Sequence, residues 1–544
     1  MRISHKSRLT TLVGAAALVV ASLSAVPAHA AAVGPICDAK VPVQTCQGTT
    51  SDGAPYVMMV PANFNGMVAL YSHGYRYNID IPAGIPVVGG YKITNTPEPV
   101  PGGNPAVANY FLSQGIAIMG SGFARQGWNL DSAITTNAEL IDTFKKKFTT
   151  TTKVVAWGSS LGGIITQTLA EKYPTLVNAV APMCMADNIS AELTTAGDFL
   201  WGLKVLFDPT IKGGNYSAGA AGNAEALGDI VKVLTVMSKL QAGVATGAWP
   251  DSSSATGKAL AAGGIPSRSA LLLVGLMAGM PTQSAHFDSI SGPEGALKLS
   301  FPLAVSPALA VLENGANAAI LAILATQDVE LQAGGSVFDN SSTDYSARVA
   351  ESSVIFNAAL SGNTAITAML GALSPANPGA PRAKATASAK LATLAATTGK
   401  INVPTIMMTG VADPITPAGA TQRIIDKYVD QYAAEKEAAQ KKSYGTTSYQ
   451  TPKKQLLAIW SVTPKSWTTF DAAGSPITSG AAANGTNHCN FTTANYLTVA
   501  KFLVDSGKTG TLSWNAAGMS AVRKSKGLLV DPDFRAPLLK FYGE

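Results

Sequence analysis

The most constraining feature of the sequence is the stretch KVVAWGSSLGGIITQTLAEKYP, residues 153–174, which contains the pattern G-x-S-x-G. Gly158 and Gly162 bracket this pattern with Ser160 at its centre, whereas Ser159 fills a variable position. The β-branched apolar run before the pattern predicts a buried strand, and the helical spacing after it predicts a helix. This context makes Ser160 a candidate nucleophile on a sharp strand-to-helix turn. The alternative is a glycine-rich turn without chemistry, because the chain contains 52 glycines.

The first 30 residues have the pattern of a secretory signal peptide. A basic start is followed by an apolar run and by a small-residue cleavage site that ends at Ala30. We therefore expect a secreted protein, extracellular or periplasmic; the alternative is an uncleaved membrane anchor. The longest later apolar run, from Ala270, has about half the length that spans a bilayer, which predicts no stable membrane insertion.

Charge and composition argue against a nucleic-acid partner and against a disordered chain. The net charge of +6 includes the three basic residues of the leader, so the remaining chain carries +3. No run of lysine and arginine stands out, and we expect no nucleic-acid partner. Charged residues make up only 13% of the chain and the mean hydropathy is +0.20, as in a folded globular protein. No feature of the sequence indicates an oligomeric state.

Strand-like and helix-like runs alternate in two parts of the chain, which predicts an α/β fold with a parallel sheet covered by helices on both faces. Residues 31–190 form the first part of this predicted core, and residues 401–544 form the second. Between them, residues 191–400 are rich in Ala, Gly, Leu and Ser and predict several helices. An insertion of this length far exceeds an ordinary connection and predicts a separate helical unit.

A nucleophilic serine needs a base, and histidine is the usual one. Outside the leader the chain contains three histidines, His73, His286 and His488. His488 lies in the polar loop NGTNHCNFT before the last predicted helix, where a loop can reach over the strand ends to the serine. We therefore predict His488 as the base; the alternative is an ordinary loop histidine. Histidines in three separate segments also give no metal-ligand spacing, so no metal or other cofactor is predicted.

The base needs an acid that orients it, and Asp413 is the preferred candidate. It follows the predicted strand VPTIMMTG and precedes Pro417, a suitable first-turn proline of the next helix. This position leaves the carboxylate on a loop at the strand end. The rival acid is Asp187, just beyond an earlier strand, and the alternative for Asp413 is an ordinary turn aspartate before Pro414.

Four cysteines suit an exported protein with two disulfides. Cys37 and Cys46 are close in sequence and are predicted to close a small loop. Cys184 and Cys489 remain, either as a second disulfide or as two buried free thiols.

The order Ser160, Asp413, His488, together with the alternating strands, resembles the α/β-hydrolase family. The resemblance covers roughly residues 55–190 and 400–510. It implies a mostly parallel eight-stranded sheet with the nucleophile on strand five, and a large, mainly helical cap between strands six and seven. It also implies an oxyanion hole formed by the backbone N–H groups of Leu161 and Tyr75, which leaves His73 with a structural role.

Cys489 directly follows His488, and in this feature the sequence resembles the tannase and feruloyl-esterase branch of that family. In that branch this cysteine is disulfide-bonded near the active site, which implies a Cys184–Cys489 disulfide here. The branch has its partner cysteine next to the nucleophile, whereas this sequence has Ser159 at that position.

These features together predict a secreted serine hydrolase that cleaves carboxylic esters through an acyl-enzyme. The apolar helices of the insertion suggest a small-molecule or polymeric ester as substrate, and Trp128 is a candidate for the pocket wall or for a buried structural position. One alternative is an amide or peptide hydrolase with the same triad. The other is an inert binding protein with a hydrolase fold.

Overall fold

A computed structural model describes residues 33–39, 41–292, 303–377, 379–394, 397–444, 449–513 and 516–535. The predicted signal peptide, residues 1–30, lies outside the described residues.

One sheet of ten strands forms the centre of the molecule, in the order β1-β2-β3-β5-β4-β6-β7-β8-β9-β10. The strands β4 to β9 are mutually parallel, whereas β1, β2, β3 and β10 run antiparallel to their neighbours. The ten strands are β1 (Val33–Cys37), β2 (Val43–Thr49), β3 (Pro55–Pro61), β4 (Met67–Ser72), β5 (Ala117–Ser121), β6 (Lys153–Ser159), β7 (Ala179–Met183), β8 (Thr405–Gly410), β9 (Leu456–Ser461) and β10 (Leu528–Leu529).

The sheet has two strands more than the eight predicted, one at each edge. β1 pairs with β2 as an antiparallel hairpin, and its Cys37 lies opposite Cys46 with the two joined by a disulfide. β10 adds two residues beside β9. These edge strands are short and partly exposed, so they lack the buried apolar pattern that marks the central strands. Without them, β2 to β9 form an eight-stranded core in which β6 is the fifth strand.

Helices cover both faces of the sheet, as the alternation predicts. Phe111 of α1 (Pro105–Ser113) and Phe502 of α14 (Thr493–Thr509) pack on one face against Trp157 and its neighbours. Three other helices pack on the opposite face: α2 (Leu130–Lys147), α3 (Leu161–Lys172) and α13 (Ala418–Ser443). Because both faces are covered, the residues of β4, β7 and β8 are buried throughout. A further helix, α15 (Ala516–Lys524), packs beside α14.

Nine helices and no strand lie between β7 and β8 in the described part of the chain. They have their own apolar core, separate from the two clusters on the faces of the sheet. They are α4 (Ile189–Leu206), α5 (Gly219–Gly243), α6 (Ala255–Ala262), α7 (Ser267–Ala278), α8 (Ser306–Ala333), α9 (Tyr345–Arg348), α10 (Ala350–Ile355), α11 (Asn363–Leu373) and α12 (Ala385–Leu394). We call this group the cap.

The helix α8 is 28 residues long and, by length and composition alone, apolar enough to cross a membrane. The sequence predicts a helix over most of this segment, but scattered polar residues interrupt its apolar run, so the run from Ala270 is the longest uninterrupted one. In the structure 61% of its most apolar window is buried, and α8 packs against α4, α5 and α7. These contacts give α8 the position of a core helix of the cap.

Candidate active site

Ser160 lies on the turn between β6 and α3 and has a backbone conformation that non-glycine residues rarely adopt, with φ 59° and ψ −127°. Two glycines allow this turn to pack closely. A Cβ on Gly162 would lie 2.0 Å from the carbonyl oxygen of Ser72, and one on Gly158 would lie 2.2 Å from the carbonyl oxygen of Gly162. The glycines of the pattern are therefore required by packing, and the turn exposes the central serine at the strand end.

The structure brings Ser160, His488 and Asp413 together in a continuous hydrogen-bonded chain. Nε2 of His488 lies 2.8 Å from Oγ of Ser160, and its Nδ1 lies 3.0 Å from Oδ2 of Asp413. The Asp413 carboxylate is buried and accepts hydrogen bonds from the backbone N–H groups of Ile415, Thr416 and Cys489. These donors fix the carboxylate, which in turn orients the imidazole with one nitrogen toward the serine hydroxyl. The arrangement can move a proton from Ser160 to His488.

The rival residues lie in other environments. Asp187 is buried in an ion pair with Arg423 of α13, whereas the carboxylate that contacts the His488 ring is that of Asp413. His286, in the cap, lies with Nδ1 2.6 Å from Oε1 of Glu313. Ser159 is the last residue of β6, and no hydrogen bond joins its hydroxyl to His488 among the described residues.

His73 is a buried residue at the end of β4. Its Nδ1 lies 2.7 Å from the carbonyl oxygen of Gly74, and its ring packs against that of Phe123. Burial, with a further contribution from the positive charge of Arg76, lowers the pKa of His73 to about 4. His73 is therefore neutral at pH 7, packed against the core.

The backbone N–H groups of Tyr75 and Leu161 are available beside the serine. Leu161 is the first residue of α3, where helical N–H groups lack intrahelical partners. Within the described residues neither N–H has a hydrogen-bond partner. The chain before Tyr75 passes close to Ser160, because a Cβ on Gly74 would lie 3.2 Å from Cβ of Ser160. Both N–H groups can therefore serve as hydrogen-bond donors near Ser160.

An apolar pocket opens over Ser160 between the sheet and the cap, with about 790 Å³ of space including its open mouth. Tyr75 and Trp128 form part of its wall, and Trp128 is also a buried structural residue that donates its Nε1–H to the carbonyl of Leu394. The cap contributes most of the remaining wall through α4 and α8. The residues from these two helices are Ile189, Glu192, Leu193, Thr195, Ala196, Phe199, Ala318, Ala319, Leu321, Ala322 and Ala325.

The pocket-lining role of these cap residues was not predicted from the sequence. The useful signal is the spacing of Ala318, Leu321, Ala322 and Ala325, which lie on one face of α8 and are only half-buried. From sequence alone the same spacing is that of any packed helix face.

Cys184 and Cys489 form a disulfide that joins the end of β7 to the His488 loop, with a Cα–Cα distance of 5.4 Å. Cys184 follows Met183, which is the register partner of Ser159 on the neighbouring strand. Cys184 therefore lies directly after β7, the strand that pairs with β6, and not on the serine turn itself. The disulfide therefore joins the His488 loop covalently to the end of β7, the strand next to β6.

Among the described residues, Asp413, His488 and Cys489 place potential metal-ligand atoms within 4.8 Å of one another. Because Sγ of Cys489 is in a disulfide, it cannot act as a thiolate ligand. Asp413 and His488 are already paired with each other.

The order of β2 to β9, the serine after the fifth of these strands and the cap after the sixth define the α/β-hydrolase fold. Asp413 and His488 follow β8 and β9, so these two residues and Ser160 all lie beyond the carboxyl ends of parallel strands.

No protein-family model matches the chain, and no curated protein matches it. Among solved structures, the chain is similar to the rice cell wall degrading esterase LipA from Xanthomonas oryzae, with a TM-score of 0.32, 12% identity, and coverage of 82% of this chain and 94% of that one. Feruloyl esterase B from Aspergillus oryzae gives a TM-score of 0.32 and 13% identity over 77% of this chain and 72% of that one. An esterase from Pyrococcus furiosus gives a TM-score of 0.21 and 11% identity. The match covers 28% of this chain and 56%, about half, of the length of that esterase. TM-scores this low do not establish a common fold. The fold follows instead from the strand order and the serine turn.

The neutral, buried state of His73 predicts a specific loss of stability in acid. The unfolded chain protonates this histidine below about pH 6.5, whereas the folded protein does so only near pH 4, so its contribution to stability is lost as the pH falls between these values. Relative to a His73→Gln variant, the wild type should lose about 3 kcal/mol more unfolding free energy between pH 7 and pH 4. Urea unfolding at both pH values measures this difference. An equal loss in the two proteins would show that His73 is not buried as the neutral form.

Proposed function

We propose that the protein is an exported serine hydrolase that cleaves carboxylic esters, with Ser160, His488 and Asp413 as its catalytic triad. The observation that carries this proposal is the Ser160–His488–Asp413 chain, with distances of 2.8 and 3.0 Å at the two nitrogens of His488. A serine hydroxyl with a base at hydrogen-bond distance, and a base oriented by a buried carboxylate, is the arrangement that nucleophilic acyl transfer needs.

In the proposed reaction Oγ of Ser160 attacks the carbonyl carbon of the ester while Nε2 of His488 takes the hydroxyl proton. The carbonyl oxygen becomes an oxyanion that accepts hydrogen bonds from the N–H groups of Leu161 and Tyr75, each contributing a few kcal/mol to transition-state stabilisation. His488 then protonates the leaving alcohol, and an acyl-enzyme on Ser160 remains. Water, deprotonated by His488, attacks this acyl group and regenerates the serine.

The apolar pocket supports an ester substrate with an apolar portion. Its wall combines Trp128 and Phe199 with the alanine-rich face of α8, and Glu192 is the only acidic residue among the described residues that line it. We propose that the cap excludes water from the site and sets the length of the group that fits, in a small-molecule or polymeric ester. The basic, apolar start of the sequence and the two disulfides support export.

The triad assignment predicts opposite behaviour of two adjacent serines. Ser160→Ala should lower kcat for p-nitrophenyl ester hydrolysis by about 10³-fold or more, because it removes the attacking oxygen. The matched Ser159→Ala variant should stay within about threefold of the wild type, since within the described residues its hydroxyl makes no hydrogen bond to His488. Hydrolysis of p-nitrophenyl esters and of matched p-nitroanilides measures both variants and separates an esterase from an amidase. Activity that survives Ser160→Ala but not Ser159→Ala would contradict the assignment.

The pocket assignment predicts a change of substrate range without a change in chemistry. Ala322 lies on the pocket face of α8, so Ala322→Leu fills part of the space above the serine. We expect hydrolysis of long acyl esters to fall about tenfold or more, whereas hydrolysis of p-nitrophenyl acetate should change less than about twofold. Asn317→Leu, at an exposed position of the same helix, is the matched control and should leave the chain-length profile unchanged. Equal effects on acetate and on long esters would contradict this role of α8.

A further inference from the structure

A buried carboxylate of the cap contacts the segment that passes beside the nucleophile. Asp328, on α8, is only 2% exposed, and each of its oxygens accepts two hydrogen bonds. Oδ2 accepts from Oη of Tyr75 at 3.2 Å and from the backbone N–H of Trp128 at 2.7 Å. Oδ1 accepts from Nδ2 of Asn78 at 2.7 Å and from Nε2 of Gln332 at 3.0 Å.

Three of these four donors belong to two loops of the hydrolase core. Tyr75 and Asn78 lie on residues 73–78, which we call the oxyanion loop, and Trp128 lies on the turn before α2. The two loops also contact each other, because the N–H of Gly127 donates to the carbonyl of Arg76 at 2.9 Å. Asp328 therefore joins both loops to the cap at one point.

The close approach of Asp328 depends on a glycine. Gly127 has φ 78°, and a Cβ at this position would lie 2.4 Å from Oδ2 of Asp328. The turn thus provides the backbone conformation and the space that let a carboxylate reach the N–H of Trp128. Burial raises the pKa of Asp328, so holding this group as a carboxylate has a free-energy cost that its four donors offset.

We infer that Asp328 is a positioning residue that holds the oxyanion loop, and with it the backbone N–H of Tyr75, at the reacting carbonyl. This inference rests on the proposed function. Asp328 acts through Tyr75: its hydrogen bond to Oη holds the side chain at one end. At the other end, the backbone at Gly74 runs so close to Ser160 that a Cβ there would lie 3.2 Å from Cβ of Ser160. The cap thereby contributes to the oxyanion hole as well as to the pocket wall.

Asp328→Asn tests this role because it keeps the size of the side chain. An amide accepts hydrogen bonds at one oxygen only, so one pair of donors would face an NH₂ group. We expect kcat for p-nitrophenyl acetate to fall about tenfold while KM stays within about twofold, because the oxyanion forms only in the transition state. Tyr75→Phe should lower kcat about threefold. The double variant should be no worse than Asp328→Asn alone, because both changes remove the same contact.

Asp288→Asn is the matched control. Asp288 is also a fully buried carboxylate of the cap segment, and it accepts hydrogen bonds from the N–H groups of Trp467 and Thr468 after β9, away from the oxyanion loop. If Asp328 only secures the cap, both variants should lower kcat alike. If Asp328 positions the oxyanion loop, Asp288→Asn should stay within about twofold of the wild type.

Amide hydrogen exchange measures the local stability of the oxyanion loop without any substrate. Amide exchange in residues 73–78 and 126–129 should accelerate about tenfold or more in Asp328→Asn and remain unchanged in Asp288→Asn. Unchanged exchange in Asp328→Asn, or an equal kcat loss in both variants, would overturn the inference. Absence of ester hydrolysis by the wild type would instead overturn the proposed function, and exchange would still decide whether Asp328 holds the loop.

Discussion

The close packing of the turn between β6 and α3 is the constraint on which the rest of the site depends. Ser160 adopts a positive φ there, and the turn lies against the end of β4 with no space for a side chain on Gly158 or Gly162. This contact sets the position of Oγ relative to the loops that follow β4, β8 and β9. The loops then need to supply only an N–H group, a carboxylate and an imidazole, each at the end of a parallel strand.

The loop of the histidine is fixed by two different interactions. The Cys184–Cys489 disulfide joins it to the end of β7, and the buried Asp413 carboxylate accepts the N–H of Cys489 as well as contacting the imidazole. Asn487 and Cys489, on either side of His488, both have positive φ. A loop in so unusual a conformation requires strong tethers, and both tethers act on Cys489, the residue that follows the histidine.

Much of the core fold could be predicted from the sequence because its strands are buried on both faces and its helices have one apolar face. The candidate triad could be located because only three histidines lie outside the predicted signal peptide, and because Ser160, Asp413 and His488 each follow an identifiable strand. The edge strands β1 and β10 could not be predicted, since a partly exposed two- to five-residue strand has no distinctive period.

The role of the cap could not be deduced in the same way. Its helices are apolar on several sides, so spacing along α8 predicts a packed helix but not which face meets the pocket. The position of Asp328 depends on contacts across 250 residues of sequence, from Asn78 to α8, that no local pattern encodes. An acidic residue near the C-terminal end of an apolar helix was the available signal, and it gave no indication of its partners.

The most direct test of the account is to locate the site of covalent modification by a fluorophosphonate, which reacts with an activated serine. Labelled protein would be digested, and tandem mass spectrometry would assign the adduct within residues 153–172, which include both Ser159 and Ser160. The account predicts an adduct on Ser160 whose rate of formation falls about a hundredfold or more in a His488→Ala variant. An adduct on Ser159 or in the cap, or an unchanged rate without His488, would contradict it.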